Sequence, residues 1–144
     1  MHDEPNLFGD LLALARLQWV REMARRLEGQ GFDDYRRSDA IALRWLNQGP
    51  RPLGELAGTL GVTRQASRKV VDGLVSRGYS LIERDRHDAR RLNVQLTELG
   101  TLYARAVIDT IEELNAAIDQ RTDPYDMAIV KSVLRSVSTL YGNA

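Results

Sequence analysis

Cysteine is absent from the 144 residues, which excludes a disulfide framework, a thiolate metal site and a thiol redox switch together. Histidine is almost absent as well. His2 and His87 are the two imidazoles, one at the extreme N-terminus and one inside an arginine-rich stretch, and neither has a partner at metal-ligand spacing. There is no glycine loop that would cradle a phosphate, no histidine pair at helical spacing and no nucleophile motif. Glu112 and Glu113 read as a solvated helix face. The chain is therefore not expected to be an enzyme, and no catalytic residue, cofactor or metal is expected. No apolar run approaches the roughly 20 residues of a membrane span, and residues 1–12 are acidic where an export signal needs a basic leader. A cytoplasmic protein without membrane association is the expectation.

Net charge is also missing: 20 basic residues balance 20 acidic ones. The balance is uneven along the chain. Residues 63–91 carry eight basic side chains against four acidic ones, a net of +4, which leaves the remainder at −4. A neutral chain polarised in this way is expected if one face meets phosphate.

What is present is helical periodicity with one interruption. Phe8, Leu11, Leu12, Ala15, Trp19, Val20, Met23 and Leu27 recur at three-and-four spacing, predicting a long amphipathic helix closed by Gly29 and Gly31. Ser38 is the expected N-cap of a second helix, with Asp39 favoured in its first turn by the helix dipole. That helix carries Ile41, Leu43, Trp45 and Leu46 and stops at residues 47–50. A short third helix follows Pro52, with Leu53, Leu56, Ala57 and Leu60 apolar and Gly61 just past its end.

Thr63 caps the next helix. At about 100° per residue, Ala66, Ser67, Val70, Val71 and Leu74 share its inner arc, Arg64, Gln65, Arg68 and Asp72 lie opposite, and Lys69 sits at the flank. Gly78 ends it. Residues 79–85 are β-prone, and Leu92, Val94 and Leu96 alternate with Asn93 and Gln95, the period-two pattern of a half-buried strand. Two strands joined by an arginine-rich loop make a hairpin. Thr97 then caps a fifth helix, expected to run to about Arg121 and to bury Leu99, Leu102, Ala106, Ile111, Leu114 and Ile118. Asp123 followed by Pro124 starts a sixth, with Met127, Val130, Val133, Leu134, Val137, Leu140 and Tyr141 at helical spacing.

A short helix, a tight turn at Gly61 and a second helix with polar outward positions is what a helix-turn-helix requires. On such a helix Arg64 or Arg68 suits the paired acceptors of guanine, Gln65 suits adenine, and Lys69 suits phosphate. Alone, the helix reads more readily as an ordinary amphipathic surface helix. The hairpin shifts the balance, because Arg84, Arg86, Arg90 and Arg91 crowd a loop that stability alone would not load with like charge, and a wing arginine fits a narrow minor groove.

On the succession Val62 to Gly78, then Asp85 to Arg91, then Leu96 to Gly100, the chain resembles the multiple antibiotic resistance regulator (MarR) family. The spacing of Asp88 and Arg90 to Leu96, Thr97 and Gly100 is the more specific part. The resemblance implies a mainly α fold with a small β-hairpin, a winged helix-turn-helix with long flanking dimerisation helices, divided into residues 1–34 (dimerisation), 35–97 (DNA-binding lobe) and 98–144 (dimerisation). It implies a homodimeric regulator, usually a repressor, on a pseudo-palindromic double-stranded DNA operator, often released by a small aromatic or anionic effector. Carried over by position, the DNA contacts are Thr63, Arg64, Gln65, Ser67, Arg68 and Lys69 on the helix and Arg86, Asp88, Arg90 and Arg91 on the wing, with Asp88 orienting a neighbouring arginine. Arg86 stands where relatives often have proline, and Ser67 where many have an apolar residue.

An effector pocket is less legible. Trp19, Met23, Tyr35, Trp45 and Tyr103 are candidates to line an aromatic cavity, with Arg16 or Arg44 pairing an anion; core packing is the alternative for each. The competing function is a winged-helix protein-interaction module without DNA binding, for which a neutral or acidic outer arc would be expected in place of Arg64, Arg68 and Lys69.

Overall fold

The computed structural model describes residues 6–142; His2 lies outside them. The elements in order are α1 (Phe8–Glu28), α2 (Asp39–Leu46), β1 (Arg51–Pro52), a 3-10 turn (Leu53–Glu55), α3 (Leu56–Leu60), α4 (Arg64–Ser76), β2 (Ser80–Arg84), β3 (Leu92–Leu96), α5 (Glu98–Asp119) and α6 (Pro124–Gly142). The chain groups into two compact units, 1–110 and 111–144. No helix among the described residues is long and apolar enough to cross a membrane.

In the first unit, α3 and α4 form the helix-turn-helix. Gly61 takes φ +66° at the end of α3, a left-handed conformation that costs a residue with a Cβ more than it costs glycine. Thr63 then caps α4, its hydroxyl accepting from the Ala66 N–H at 3.1 Å. Ser67, Val71 and Leu74 are buried and the opposite arc is exposed, so the two faces fall where the helical period puts them. Gly78, at φ +84°, turns the chain from α4 into β2.

The sheet has three antiparallel strands in the order β1-β3-β2. Val94, wholly buried in the central strand, stands opposite Arg51 on one side and Ile82 on the other. The hairpin expected from sequence thus gains a third strand of two residues. Pro52, which has no N–H to give, is tolerated there because β1 lies at the edge.

Two further expectations are corrected. Ser38 has helical dihedrals and makes no side-chain cap bond; the Asp39 carboxylate instead accepts from the Arg36 N–H at 3.1 Å. Helix α5 buries Tyr103, Ala104, Val107, Thr110 and Leu114, while Leu99 and Leu102 are 47% and 52% exposed and Ile118 is also exposed. Both stripes have helical spacing. The one that includes Tyr103 is buried because that ring stacks on Phe32, with centroids 4.9 Å apart, and on Tyr79, at 4.3 Å. Helix α1 buries only Met23 and Leu27, leaving the large residues of its first half exposed.

Asp39 stands in the first turn of α2, where the dipole argument put it, and is 1% exposed. Its two oxygens accept from Arg77 Nη2 at 2.7 Å and Nη1 at 2.9 Å, and one also accepts from the Tyr103 hydroxyl at 2.8 Å. Arg77 donates further to the carbonyls of Asp34 and Gly73, and the Tyr79 hydroxyl donates to the Asp34 carboxylate at 2.8 Å. One buried carboxylate thereby ties the start of α2 to the end of α4 and to α5. Burial acts to lower the Arg77 guanidinium, but the Asp39 carboxylate outweighs it and holds Arg77 above the ordinary arginine value.

Thr97 and Gly100 fix the entry to α5. The Thr97 hydroxyl donates to the Gly78 carbonyl and accepts from the Gly100 N–H at 3.0 Å. A Cβ on Gly100 would overlap the Tyr79 carbonyl oxygen and lie 2.7 Å from its carbon, so only glycine fits where α5 crosses the start of β2. Gly100→Ala is expected to cost about 1–3 kcal/mol through overpacking, seen as a lower melting temperature.

Alkaline stability follows from the tyrosines. Burial first, then the Asp39 charge, raises the Tyr103 phenol; burial and the Asp34 hydrogen bond raise Tyr79; burial and Asp39 push Tyr35 up to about 12. Unfolded tyrosines ionise near about pH 10, before the native ones. Their contribution is complete below that pH and is lost as pH rises towards the raised native values. Thermal melts should show stability falling above about pH 10. Tyr103→Phe should lower stability near neutrality by about 1.5–3 kcal/mol, the worth of a hydrogen bond to a charged group, and make the alkaline fall shallower.

Candidate nucleic-acid interface

The first turns of α4 present Arg64, Gln65, Arg68 and Lys69 to solvent. Arg68 Nε lies 2.9 Å from Asp72 Oδ1, a pair one turn apart with both side chains about half exposed. Such a pair adds little stability, so what it supplies is a guanidinium held along the helix surface. Ser67 differs from its neighbours. It is 4% exposed and its hydroxyl donates to the Arg64 carbonyl at 2.9 Å, which places it in the packing of the inner arc and supplies the partner its polarity requires.

The wing is the loop between β2 and β3, and its order comes from carboxylates bonded to backbone. Asp85 Oδ1 accepts from the N–H groups of His87 at 2.8 Å and Asp88 at 3.2 Å, and Oδ2 accepts from the Asn93 amide at 2.9 Å. The Asn93 amide first, then the His87 N–H, hold the Asp85 carboxyl below its ordinary range. Asp88 accepts from the backbone N–H of Arg90 at 3.0 Å, so it shapes the chain at Arg90 rather than its guanidinium. Arg86, His87, Arg90 and Arg91 are exposed.

Helix and wing converge on a cleft of about 540 Å³ lined by Arg64 and Arg68 from one side and Arg90 and Arg91 from the other, with Glu55 and Ser67 also on its wall. Four arginines on one concave surface, with Glu55 in its wall and Asp72 paired to Arg68, can hold a polyanion by charge and by paired N–H donors. Arg77 does not contribute, although it belongs to the basic segment of the sequence; its side chain is 12% exposed and turned to Asp39.

The six effector candidates are divided between core and surface. Met23 and Tyr103 are wholly buried, and the Tyr103 hydroxyl is engaged by Asp39. Trp19, Tyr35 and Trp45 are half-buried, with Arg51 over the Trp45 ring at 6.0 Å, and Arg16 is exposed. Arg44 donates to the Ala40 carbonyl within its own helix.

Sequence reasoning missed Asn93, Glu55 and the pair Asp39–Arg77. The pair had a usable signal. Asp39 stands four and seven residues before Leu43 and Leu46, and Arg77 stands three and seven after Leu74 and Val70, so each charge continues an apolar stripe and calls for a partner.

No family model matches the chain, and no curated protein matches it by sequence. Solved structures do match. A MepR–DNA complex from S. aureus is 16% identical with a TM-score of 0.79, covering 94% of this chain and 98% of that one. A probable transcriptional regulator from Pseudomonas aeruginosa is 20% identical, TM-score 0.74, covering 92% and 97%. Wild-type apo MarR from E. coli is 19% identical, TM-score 0.64, covering 93% and 98%. Over more than nine-tenths of its length, this chain shares the winged helix-turn-helix fold of these solved structures.

Proposed function

We propose that the protein is a MarR-family transcriptional regulator that binds double-stranded DNA in a sequence-specific manner. The observation that carries this reading is the cleft between α4 and the wing, where Arg64, Arg68, Arg90 and Arg91 meet. Helix α4 would enter the major groove with Arg64, Gln65 and Arg68 at base edges, Thr63 and Lys69 near phosphate, and Arg86, Arg90 and Arg91 following the backbone into the adjacent minor groove. That the similar MepR structure was solved with DNA supports the same use of the fold.

The DNA-binding lobe, residues 35–97, would act in a homodimer formed through 1–34 and 98–144. Phe8, Leu11, Leu12, Leu14 and Leu17 on α1 are 40–50% exposed, and among the described residues none of α6 is buried, with Ile129, Leu140 and Tyr141 61–71% exposed. Apolar surface of this extent calls for a cover, and a second copy supplies it while setting two recognition helices about 34 Å apart on a pseudo-palindrome. Repression, and release by a small aromatic or anionic effector, complete the reading. Arg64, Arg68 and Lys69 on the outer arc weigh against a module that binds only protein.

The test is selection of genomic fragments by the purified protein, footprinting of the best fragment and a salt titration. A protected inverted repeat with half-sites about one turn apart is expected; no enriched fragment would favour the protein-interaction module. Arg68→Ala should cost about 1–3 kcal/mol at one base pair and blur specificity there, whereas Arg90→Ala should weaken all sequences alike and reduce the salt slope by about one. Sedimentation should give a dimer, and replacing Leu11 and Leu14 by glutamate should shift it to monomer. A wild-type monomer at working concentration would reject the dimer.

A further inference from the structure

We propose that Asn93 is a positioning residue for the wing: through its amide it fixes Asp85, and through Asp85 it fixes the backbone that carries Arg86 and His87. The inference rests on the DNA-binding reading and adds how that site is kept in shape.

The wing has a physical problem. Arg84, Arg86, Arg90 and Arg91 lie within eight residues, and like charges at this spacing push a loop towards disorder, from which it would have to be reordered on every encounter with DNA. Local turn bonds answer only part of this. Asp85 Oδ1 closes the turn on the N–H groups of His87 and Asp88, the Arg91 N–H donates to the Asp88 carbonyl, and Arg84 donates to the Ala89 carbonyl. All of these bonds join residues of the loop or the end of β2 to one another, and they would move with the loop.

The Asn93 bond differs because of where Asn93 sits. It lies in β3, the strand paired on both sides, opposite Glu83 in β2 and Pro52 in β1. Its amide reaches across to Asp85 Oδ2 at 2.9 Å, and the Asp85 N–H donates to the Arg91 carbonyl at 2.9 Å. The turn is thereby bonded to the most constrained strand of the sheet. Both residues are half-buried, where a hydrogen bond to a carboxylate is less eroded by water than at the exposed tip. Asn93 does not line the cationic cleft; it lies in a second hollow with Asp85, Arg86 and His87.

The test uses the full-length protein, the fragment found by genomic selection, and a random-sequence duplex. Asn93→Leu removes the bond without changing charge. The paired exchange of Asp85→Asn with Asn93→Asp rebuilds it in reverse at the same net charge, since an amide at 85 keeps an oxygen for the turn and offers its N–H to the carboxylate at 93. Amide hydrogen exchange at His87 and Asp88, measured without DNA, reports the loop alone. Asn93→Leu should speed that exchange and weaken binding about three- to tenfold, the worth of one such bond, with the melting temperature unchanged; the paired exchange should restore both.

Unchanged exchange in Asn93→Leu would overturn the proposal, as would faster exchange with unchanged binding, or a paired exchange that behaves like Asn93→Leu. If the wild-type protein binds no duplex at all, the DNA-binding reading falls. The exchange measurement would still decide whether Asn93 orders the loop.

Discussion

The carboxylate of Asp39 is the constraint on which the helix-turn-helix unit depends. A charge with 1% exposure is tolerated only when its hydrogen-bonding capacity is filled, and here two arginine N–H groups, a tyrosine hydroxyl and a backbone N–H fill it. Such a pair need not be more stable than an apolar substitute of the same volume. Its contribution is geometric. The bidentate contact has one good arrangement, and satisfying it sets the end of α4 against the start of α2 and against Tyr103 of α5. The outward arc of α4 is therefore aimed by a contact made at the other end of the same helix. Tyr79 and Phe32 close the ring stack around Tyr103, which keeps water from competing for the carboxylate.

What could be read from the sequence was what depends on local chemistry. The inner and outer arcs of α4, the Thr63 cap, the turn at Gly61, the stop at Gly78 and the Asp123–Pro124 start of α6 each follow from a residue type at a fixed offset. What could not be read depends on choices made between elements. Helix α5 has two stripes of helical spacing, and the buried one was selected by Phe32, Asp39 and Tyr79, which meet Tyr103. The β1 strand is two residues long and has no period to detect. Ser38 lost its expected role because the turn closed by the Asp39 N–H on the Arg36 carbonyl holds it at helical dihedrals, whereas a capping residue needs an extended backbone. Arg77 was counted with the basic segment although its spacing continues the packed stripe, and Ser67, which the helical period put on the inner arc, entered the DNA contacts only through the resemblance.

The two halves of the interface are held in different ways. Helix α4 derives its order from its own backbone ladder and from apolar packing of Val71 and Leu74. The wing has no core beneath its tip, and its order comes from side-chain oxygens spent on backbone N–H groups. That expenditure affects charge. Asp85 and Asp88 lower the net charge of the wing from a distance, but their short contacts are with the backbone and with Asn93. The guanidiniums of Arg86, Arg90 and Arg91 are left to meet an outside anion. A wing that paired its aspartates directly with its arginines would have the same composition and a weaker field.

Net charge is for this reason a poor guide here. The chain sums to zero, yet screening confines electrostatic influence to about 8 Å at physiological salt, so a phosphate at the cleft senses Arg64, Arg68, Arg90 and Arg91 far more than it senses acidic residues elsewhere in the chain. Neutrality overall limits long-range steering and indiscriminate binding to polyanions, while the concave arrangement keeps local attraction strong. Specificity then has to come from fit. Four cations on two separately ordered elements are engaged together only by a backbone whose curvature matches the separation of helix and wing, and the contacts at Asp39 and Asn93 that bear on this separation are made by residues outside the lining of the cleft.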